Sequence, residues 1–497
     1  MNILLLYPEY PVSYWGFQYA LPFVHKKAAF PPLGLMTIAA MMPDDAYQKR
    51  LIDMNVQPLH DRDLRWADLV MISAMVVQRA SVRAIIDRCK ALKVKTVAGG
   101  PLFSSESEDY DDVDYLVLGE GEVTMPQFLA DYRADKATHL YKSDRFPDLS
   151  ETPIPQWNLI DIKKYASMNI QYSRGCPFNC EFCDITHLYG RRPRTKSAAQ
   201  VLSEMQSLYE TGWRDGVFFV DDNFIGNKKR TVEEILPAIA AWMDAHGRPF
   251  KFITETSINL ADDEELMNAM VRAGFRQVFI GIETPDEDSL NECNKNQNQG
   301  RDLLACIKKI QAFGLEVQGG FIVGFDNDKL SIFNRMVEFI QESGITTAMV
   351  GLLNAPKGTR LHQRMVKEGR MTTDFSGSNT DFSLNFAPKM DREILVNGYQ
   401  SIVSRIYSPK YYYERVMCFL KQYKPGAKAR ERISATNVGA FLLSIVRLGI
   451  FGRERRYYWR LLRWSLREKP AMFPSAVRLS IYGYHFRKVF QNMVQLA

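Results

Sequence analysis

The chain has 497 residues, enough for about three domains, and a hydrophobic content of 46% that suffices for globular cores. Seven Cys are too few and wrongly spaced for a secreted disulfide scaffold, and no run of about 18 apolar residues occurs, which excludes a helical membrane span. The net charge of +6 is unevenly placed: from Ser404 onward 19 Lys or Arg face four acids, Glu414, Glu431, Glu454 and Glu468, so that tail carries +15 and the remainder −9.

Residues 1–8 have no basic flank or cleavage site and read as a strand, not a signal peptide. Apolar runs recur at 3–7, 51–52, 69–73, 96–98 and 115–118, with helical stretches between them such as 81–92 and 123–132. Such alternation predicts a parallel, doubly wound, Rossmann-like sheet. Ligands of such sheets bind at the carboxyl ends of the strands, where small residues let them approach. The candidates there are Asp53-Met54-Asn55, Ser73-Ala74-Met75, Gly99-Gly100-Pro101 and Gly119-Glu120-Gly121-Glu122. A flavodoxin-like domain that binds another nucleotide, or nothing, satisfies the same pattern. Residues 146–157 form a Pro-rich connector.

Residues 174–183, Arg-Gly-Cys-Pro-Phe-Asn-Cys-Glu-Phe-Cys, follow a strand-like run at 168–172. Cys176, Cys180 and Cys183 stand at C-x3-C-x2-C spacing, which can hold three corners of a 4Fe–4S cluster and leave one iron open. His187 would complete a four-ligand zinc set, so spacing alone leaves zinc and iron–sulfur both open. Cys89, Cys293, Cys306 and Cys418 are scattered and read as buried thiols, which with an oxygen-sensitive cluster points to a reducing, cytoplasmic setting.

Five more strands are predicted at 217–220, 250–254, 277–282, 317–323 and 347–353, separated by helices at 198–211, 231–246, 263–273, 302–313 and 329–343. Six β–α units predict a partial barrel with function at the strands' carboxyl ends. Asp221-Asp222-Asn223, Thr254-Glu255-Thr256, Gly281-Ile282-Glu283-Thr284 and the stretch from Gly319 and Gly320 to Gly324 lie there. Taken singly, each carboxylate is as readily a solvated loop residue or a helix cap. A magnesium site at the Asp pair lacks a phosphate-binding loop beside it. Arg191-Arg192-Pro193-Arg194 is either a solvated turn or an anion contact.

The last third is helical, aromatic and basic, with Tyr411 to Tyr413, Tyr457, Tyr458, Trp459 and Trp464 interleaved among Arg455, Arg456, Arg460, Arg463 and Arg467. Residues 438–451 are apolar except for Ser444 and Arg447. Three readings stand: nucleic-acid binding, without a recognisable module to support it; a helical cap with a solvated charged face; and a surface lying on the inner, anionic face of a membrane.

The three-Cys loop, with Phe182 just before its last Cys, resembles the signature of the radical S-adenosylmethionine (SAM) superfamily. The resemblance covers most of the chain. It extends to the cobalamin-dependent branch (class B radical SAM methylases), in the group with an extra carboxyl-terminal domain that includes hopanoid methylases and related lipid-modifying enzymes. It implies a cobalamin-binding domain over 1–145, a linker over 146–165, a partial (β/α)6 radical SAM domain over 166–365 and a mainly α-helical domain over 366–497.

The resemblance implies three cofactors: a 4Fe–4S cluster, SAM and cobalamin. Cys176, Cys180 and Cys183 would hold the cluster, with no catalytic residue beyond them. Phe182, Asp221, Asp222, Glu283, Gly319, Gly320 and Gly324 would border SAM. Asn55, Ser73, Met75, Gly99, Gly100, Gly119 and Glu120 would meet cobalamin, and Asn55 stands where a cobalt-binding His occurs in related folds. The activity implied is radical C-methylation of an unactivated carbon, on a lipid or other hydrophobic substrate. Electrons would come from a reductase, ferredoxin or flavodoxin, and the basic carboxyl-terminal domain would make peripheral membrane contact. A ring-forming enzyme with the same cofactors and a cobalamin or redox sensor that binds nucleic acid are the alternatives.

Overall fold

The computed structural model describes residues 1–425 and 434–496; Glu431 and its neighbours in the basic tail lie outside them. The amino-terminal strands are β1 (Asn2–Tyr7), β2 (Gln48–Asp53), β3 (Leu69–Ser73), β4 (Lys95–Gly99), β5 (Tyr115–Val117) and β6 (Leu140–Tyr141). All pair in parallel, in the order β2-β1-β3-β4-β5-β6. Parallel strands covered on both faces read as unbroken apolar runs, and β1 shows why. Leu4 and Leu6 enter an outer core with Val70, Ile72 and Ala98. Ile3 and Leu5 enter a second core that continues into the rest of the molecule. The sheet is thus fused to its neighbours through one face.

The second sheet comprises β7 (Met168–Ile170), β10 (Gly216–Phe219), β11 (Lys251–Thr256), β12 (Phe275–Glu283), β13 (Glu316–Val323) and β14 (Ala348–Leu352), after an intervening hairpin of β8 (Ser173–Arg174) and β9 (Arg194–Thr195). Its order, β14-β13-β12-β11-β10-β7, is an all-parallel six-stranded partial barrel. Every strand the hydrophobic runs predicted is present. The hairpin and β6 were not predicted, because two-residue strands carry no periodicity.

A partial barrel has a lateral gap between its edge strands, here β14 and β7. The segment 8–31 crosses it. Trp15 Nε1 reaches Met349 Sδ on β14 at 2.9 Å, and the indole stands edge-on to Phe279 of β12. At the other end Asn169 of β7 donates to the Pro31 carbonyl, and Phe30 meets Phe218 of β10. Tyr14 stacks on Phe486 with centroids 4.3 Å apart and shares a 2.8 Å hydrogen bond with Tyr407. This strap therefore joins the first sheet, the barrel and the carboxyl-terminal helices.

Those helices include Arg392–Ile406, Pro409–Gln422, Ala435–Ser444, Arg455–Glu468 and Phe473–Leu496. They sort the interleaved residues of the sequence by face. Tyr412, Tyr413 and Tyr458 are buried, as is Arg415, whose guanidinium lies over Tyr407 and Tyr412. Arg478 and Arg487 pair with Glu316 and Glu454, so part of the basic surplus is structural. Among the described residues no helix is long and apolar enough to cross a membrane.

Candidate active site

The three-Cys loop leaves the carboxyl end of β7 through the β8–β9 hairpin. Gly175 takes φ 93°, and a Cβ there would lie 2.9 to 3.1 Å from the carbonyls of Gly190, Tyr189 and Arg192, so only glycine fits. The loop is held from several sides. Asp221 Oδ1 accepts from the amides of Tyr172, at 3.0 Å, and Ser173, and Asp222 Oδ2 accepts from the Gly175 amide at 2.7 Å. Glu181, between Cys180 and Cys183, forms a two-pronged pair with Arg364 at 2.8 and 3.0 Å. Gln297 Nε2 lies 3.8 Å from Cys180 Sγ, and Phe182 meets Phe325 edge-on.

Cys176, Cys180 and Cys183 are free thiols. Burial pushes Cys176 and Cys183 up, and neighbouring thiol charge adds to both, so they become thiolates when a metal takes their protons. Among the described residues no three His, Cys, Asp or Glu side chains are already drawn into an ion-holding group. His187 is exposed and turned against Gly358, so the zinc quartet is not assembled. The donors present, soft sulfur backed by the Lys295 ammonium, fit an iron–sulfur cluster.

At the barrel mouth, Glu283 ends β12 with φ 64° beside a register shift in its pairing with β13. Glu283 is thus a non-glycine residue held in the left-handed region at a strand bulge. Glu283 Oε1 accepts from Lys295 Nζ at 2.5 Å, and both side chains fold over Gly281, where a Cβ would collide with the carboxylate and lie 2.7 Å from the ammonium. Burial raises Asp221 to about 7 and Asp222 to about 6; it raises Glu255 to about 8, with both aspartates adding to that shift. Asp221 Oδ2, Asn223 Oδ1, Thr256 Oγ1, Gln297 Oε1 and Asn298 Oδ1 are buried acceptors without a protein partner. A cluster of orphan acceptors beside poised carboxylates suits a cationic, hydroxyl-rich ligand such as SAM. Glu255 lies in the Thr254-Glu255-Thr256 triplet expected at a strand end, though not among the residues expected to border SAM; Lys295, Gln297 and Asn298 were not singled out from sequence, because a three-residue turn, Asn296–Asn298, carries no pattern.

The glycines divide. Gly320 pairs with Gly281 and faces the ring of Phe279 in the barrel interior. A Cβ on Gly319 would instead meet Ile345, and one on Gly324 would meet Leu395. At these two positions the absent side chain makes room for close packing within the protein.

In the first sheet Ser73, Met75, Gly99, Gly100 and Gly119 gather at the carboxyl ends of β3, β4 and β5. Gly100 takes φ 90°, and a Cβ there would lie 2.6 Å from Ser73 Oγ. Gly119 takes φ 79°, and Met75 is exposed above this cradle. Side-chain-free backbone at strand ends fits the tail of a nucleotide-bearing corrinoid.

Two residues expected to meet cobalamin, Asn55 and Glu120, have protein partners. Asn55 spends both amide hydrogens on its own loop, at Asp53 Oδ1 (2.8 Å) and the Pro8 carbonyl (3.1 Å), while its oxygen accepts from the Tyr10 amide. It staples the loop, with both amide hydrogens engaged. Glu120 is consumed by Arg174 and Arg194, at 2.5 and 2.6 Å. Glu122 takes the other side of Arg174 at 2.7 and 3.0 Å and also accepts from Thr152 Oγ1. The Gly-Glu-Gly-Glu turn therefore clamps the first sheet to the residues flanking the Cys loop. Of the expected anion contact at 191–194, Arg194 is engaged this way, whereas Arg191 and Arg192 are exposed.

Family models match along the chain: a B12 binding domain over residues 24–129, the Radical SAM superfamily over 170–340, and a domain of unknown function (DUF4070) over 359–497. An uncharacterized methyltransferase of Synechocystis sp. is 39% identical over 98% of this chain and 91% of its own length. The hopanoid C-2 methylase of Rhodopseudomonas palustris is 33% identical over 97% and 93%. Among solved structures, the radical SAM methyltransferase TsrM of Kitasatospora setae, with cobalamin and a [4Fe-4S] cluster bound, shares the fold. Its TM-score is 0.59 at 15% identity, covering 100% of this chain and 99% of TsrM. The cofactors of this protein are accordingly a 4Fe–4S cluster, SAM and cobalamin. Three-domain order, a free-thiol loop at the barrel mouth and relatives aligned over nearly the whole length agree: the chain belongs to the cobalamin-dependent radical SAM methyltransferases, the family of the hopanoid methylases.

Proposed function

We propose that this enzyme is a C-methyltransferase acting on an unactivated carbon of a lipid or other hydrophobic substrate. The division of labour is 1–145 for cobalamin, 146–165 as linker, 166–365 for the radical SAM barrel and 366–497 as the helical domain. When bound, the cluster, SAM and cobalamin supply the radical chemistry and the methyl group.

The chain's own residues bind and orient. Cys176, Cys180 and Cys183 hold the cluster. Asp222 and Asp221 fix the backbone from which those thiols project, and both border the SAM site, where Asp221 Oδ2 lacks a protein partner. Glu283, Lys295, Gly281, Gly320 and Phe182 form the remaining wall of the SAM site. Ser73, Met75, Gly99, Gly100 and Gly119 receive cobalamin.

The observation that carries the hydrophobic substrate is the inner barrel wall. Phe218, Phe279 and Met349, with Trp15 and Phe30 from the strap, are only half-buried, whereas the alternate residues Val217, Phe219, Val278, Ile280 and Val350 are buried. Glu255, Gln318 and Asn169 pair in register with these rings, so the wall offers an apolar guest a half-covered aromatic surface beside a small number of polar groups. A substrate of that kind resides in a bilayer, and the basic carboxyl-terminal helices are the part of the chain proposed to reach it, from the cytoplasmic side. Electrons arrive from a reductase, ferredoxin or flavodoxin.

The test is anaerobic reconstitution followed by mass analysis of membrane lipids with and without the protein. Gain of one CH2 unit with turnover of SAM to 5′-deoxyadenosine is the expected result. Loss of hydrogen or gain of oxygen would assign the ring-forming alternative, and absence of SAM turnover the sensor.

A further inference from the structure

The helix Ala435–Ser444 runs on into a wider π-turn, Ile445–Ile450. Its inner side buries Ala440, Ser444 and Leu448. Its outer side presents Val438, Leu442, Val446 and Ile450, each four residues after the last, and then Phe451, which is 79% exposed. Four-residue steps overrun an α-turn of about 3.6 residues, and the wider π-turn brings the row back into line. The result is a straight apolar ridge of about 20 Å at 1.5 Å per residue. Soluble proteins rarely leave such a row uncovered without a use for it.

The helix Arg455–Glu468 packs beside that π-turn: Trp459 Nε1 donates to the Gly449 carbonyl at 3.0 Å, and Tyr458 shares a 2.8 Å hydrogen bond with Ser444. It buries Tyr458, Leu461, Leu462 and Ser465. Outward it turns Arg456, Arg460, Arg463 and Arg467, which with Trp464 and a single acid, Glu468, line a recess of about 500 Å3. No described carboxylate pairs with any of these four guanidinium groups. Leu466, 56% exposed, stands next to them.

We propose that the apolar ridge and the arginine row together form a docking surface for an anionic lipid bilayer, with Leu442, Val446, Ile450 and Phe451 entering the acyl boundary and the four arginines at the phosphates. The proposal rests on the hydrophobic-substrate reading for its purpose and on the surface itself for its chemistry. Charge complementarity selects an anionic membrane. Nucleic acid fits less well: Tyr412, Tyr413 and Tyr458 are buried, which leaves Phe451 and Trp464 and no row of rings for successive bases, and an aliphatic ridge offers a phosphate backbone nothing.

Vesicle sedimentation of the cofactor-loaded, full-length protein tests it. Binding should be at least about tenfold tighter to vesicles with roughly a third anionic lipid than to neutral ones, and should weaken with salt. Leu442→Glu with Ile450→Glu, and separately Arg460→Glu with Arg463→Glu, should each lower binding about tenfold or more, with unchanged circular dichroism and cluster absorbance. Equal binding to neutral vesicles, unaffected variants, or salt-sensitive capture of RNA in place of vesicles would each overturn the proposal. Methyl transfer is measured in parallel on detergent-dispersed lipid. Activity there without vesicle binding sinks the docking surface alone, and vesicle binding without activity sinks the proposed reaction alone.

Discussion

Glu122→Gln isolates the clamp between the cobalamin domain and the Cys loop. Burial opposes ionisation of Glu122, but the Arg174 guanidinium outweighs it and brings the carboxyl from 4.5 down to about 2. A shift of that size corresponds to about 3 kcal/mol favouring the clamped, ionised state. Because the folded value is depressed, this stabilisation is complete above about pH 4.5 and fades as the pH falls toward 2. Glutamine keeps the shape and removes the charge, leaving Arg174 with Glu120 alone. Native-state proteolysis of the connector follows the population of the opened seam. The variant should be cut about a hundredfold faster than the wild type at pH 7, which is what about 3 kcal/mol is worth. The gap should close in acid, where the wild-type carboxyl is also neutral. Equal cleavage at pH 7, or a gap untouched by acid, would refute the reasoning.

Two further outcomes are expected. Gly281→Ala drives a methyl group into the Glu283–Lys295 pair, so calorimetric titration of the reconstituted protein should show SAM affinity lowered by about tenfold or more, with cluster absorbance retained. His485 is buried and held neutral, pushed down to about 4, accepting from the Tyr19 amide and donating to the Tyr14 carbonyl. A depressed folded value means that its contribution is complete above about pH 6.5 and is lost toward pH 4. Thermal stability should therefore fall across that window, and His485→Gln should flatten the slope.

The sequence was most legible where local pattern and final environment coincide. Residues 69–73 form a strand with those bounds because both faces of β3 are buried, and unbroken apolar runs say so directly. The Cys loop was legible because its ligands are near neighbours in sequence. What escaped was set by pairs distant along the chain. Glu120 at a glycine-rich strand end looks like a ligand contact until Arg174 and Arg194, 54 and 74 residues later, arrive beside it. Asn55 occupies a cofactor position in the pattern, but its hydrogen bonds to Pro8 and Tyr10 depend on how β1 and β2 lie side by side. In the helix Arg455–Glu468, spacing could not show that Tyr458 faces inward and Arg456, Arg460, Arg463 and Arg467 outward, because interleaved residues part only when the helix finds its neighbours.

The placement of these charges bears on the chemistry. Arg174 and Gly175 are consecutive, yet Arg174 is held by the first sheet through Glu120 and Glu122, and Gly175 is held by the barrel through Asp222. Cys176 follows at once. The start of the Cys loop is thus tied to both sheets by protein contacts, and Glu181–Arg364 fixes its far side. A reaction that passes a group between two cofactors on separate sheets needs their separation held within a fraction of an ångström, since misplacement by about 1 Å costs on the order of a hundredfold in rate. An apolar seam resists separation but tolerates sliding. Two-pronged carboxylate–guanidinium pairs at 2.5 to 3.1 Å are directional, and sliding breaks them. The ion pairs therefore stand where register matters, whereas the strap of residues 8–31 closes the barrel's side mainly through its aromatic rings.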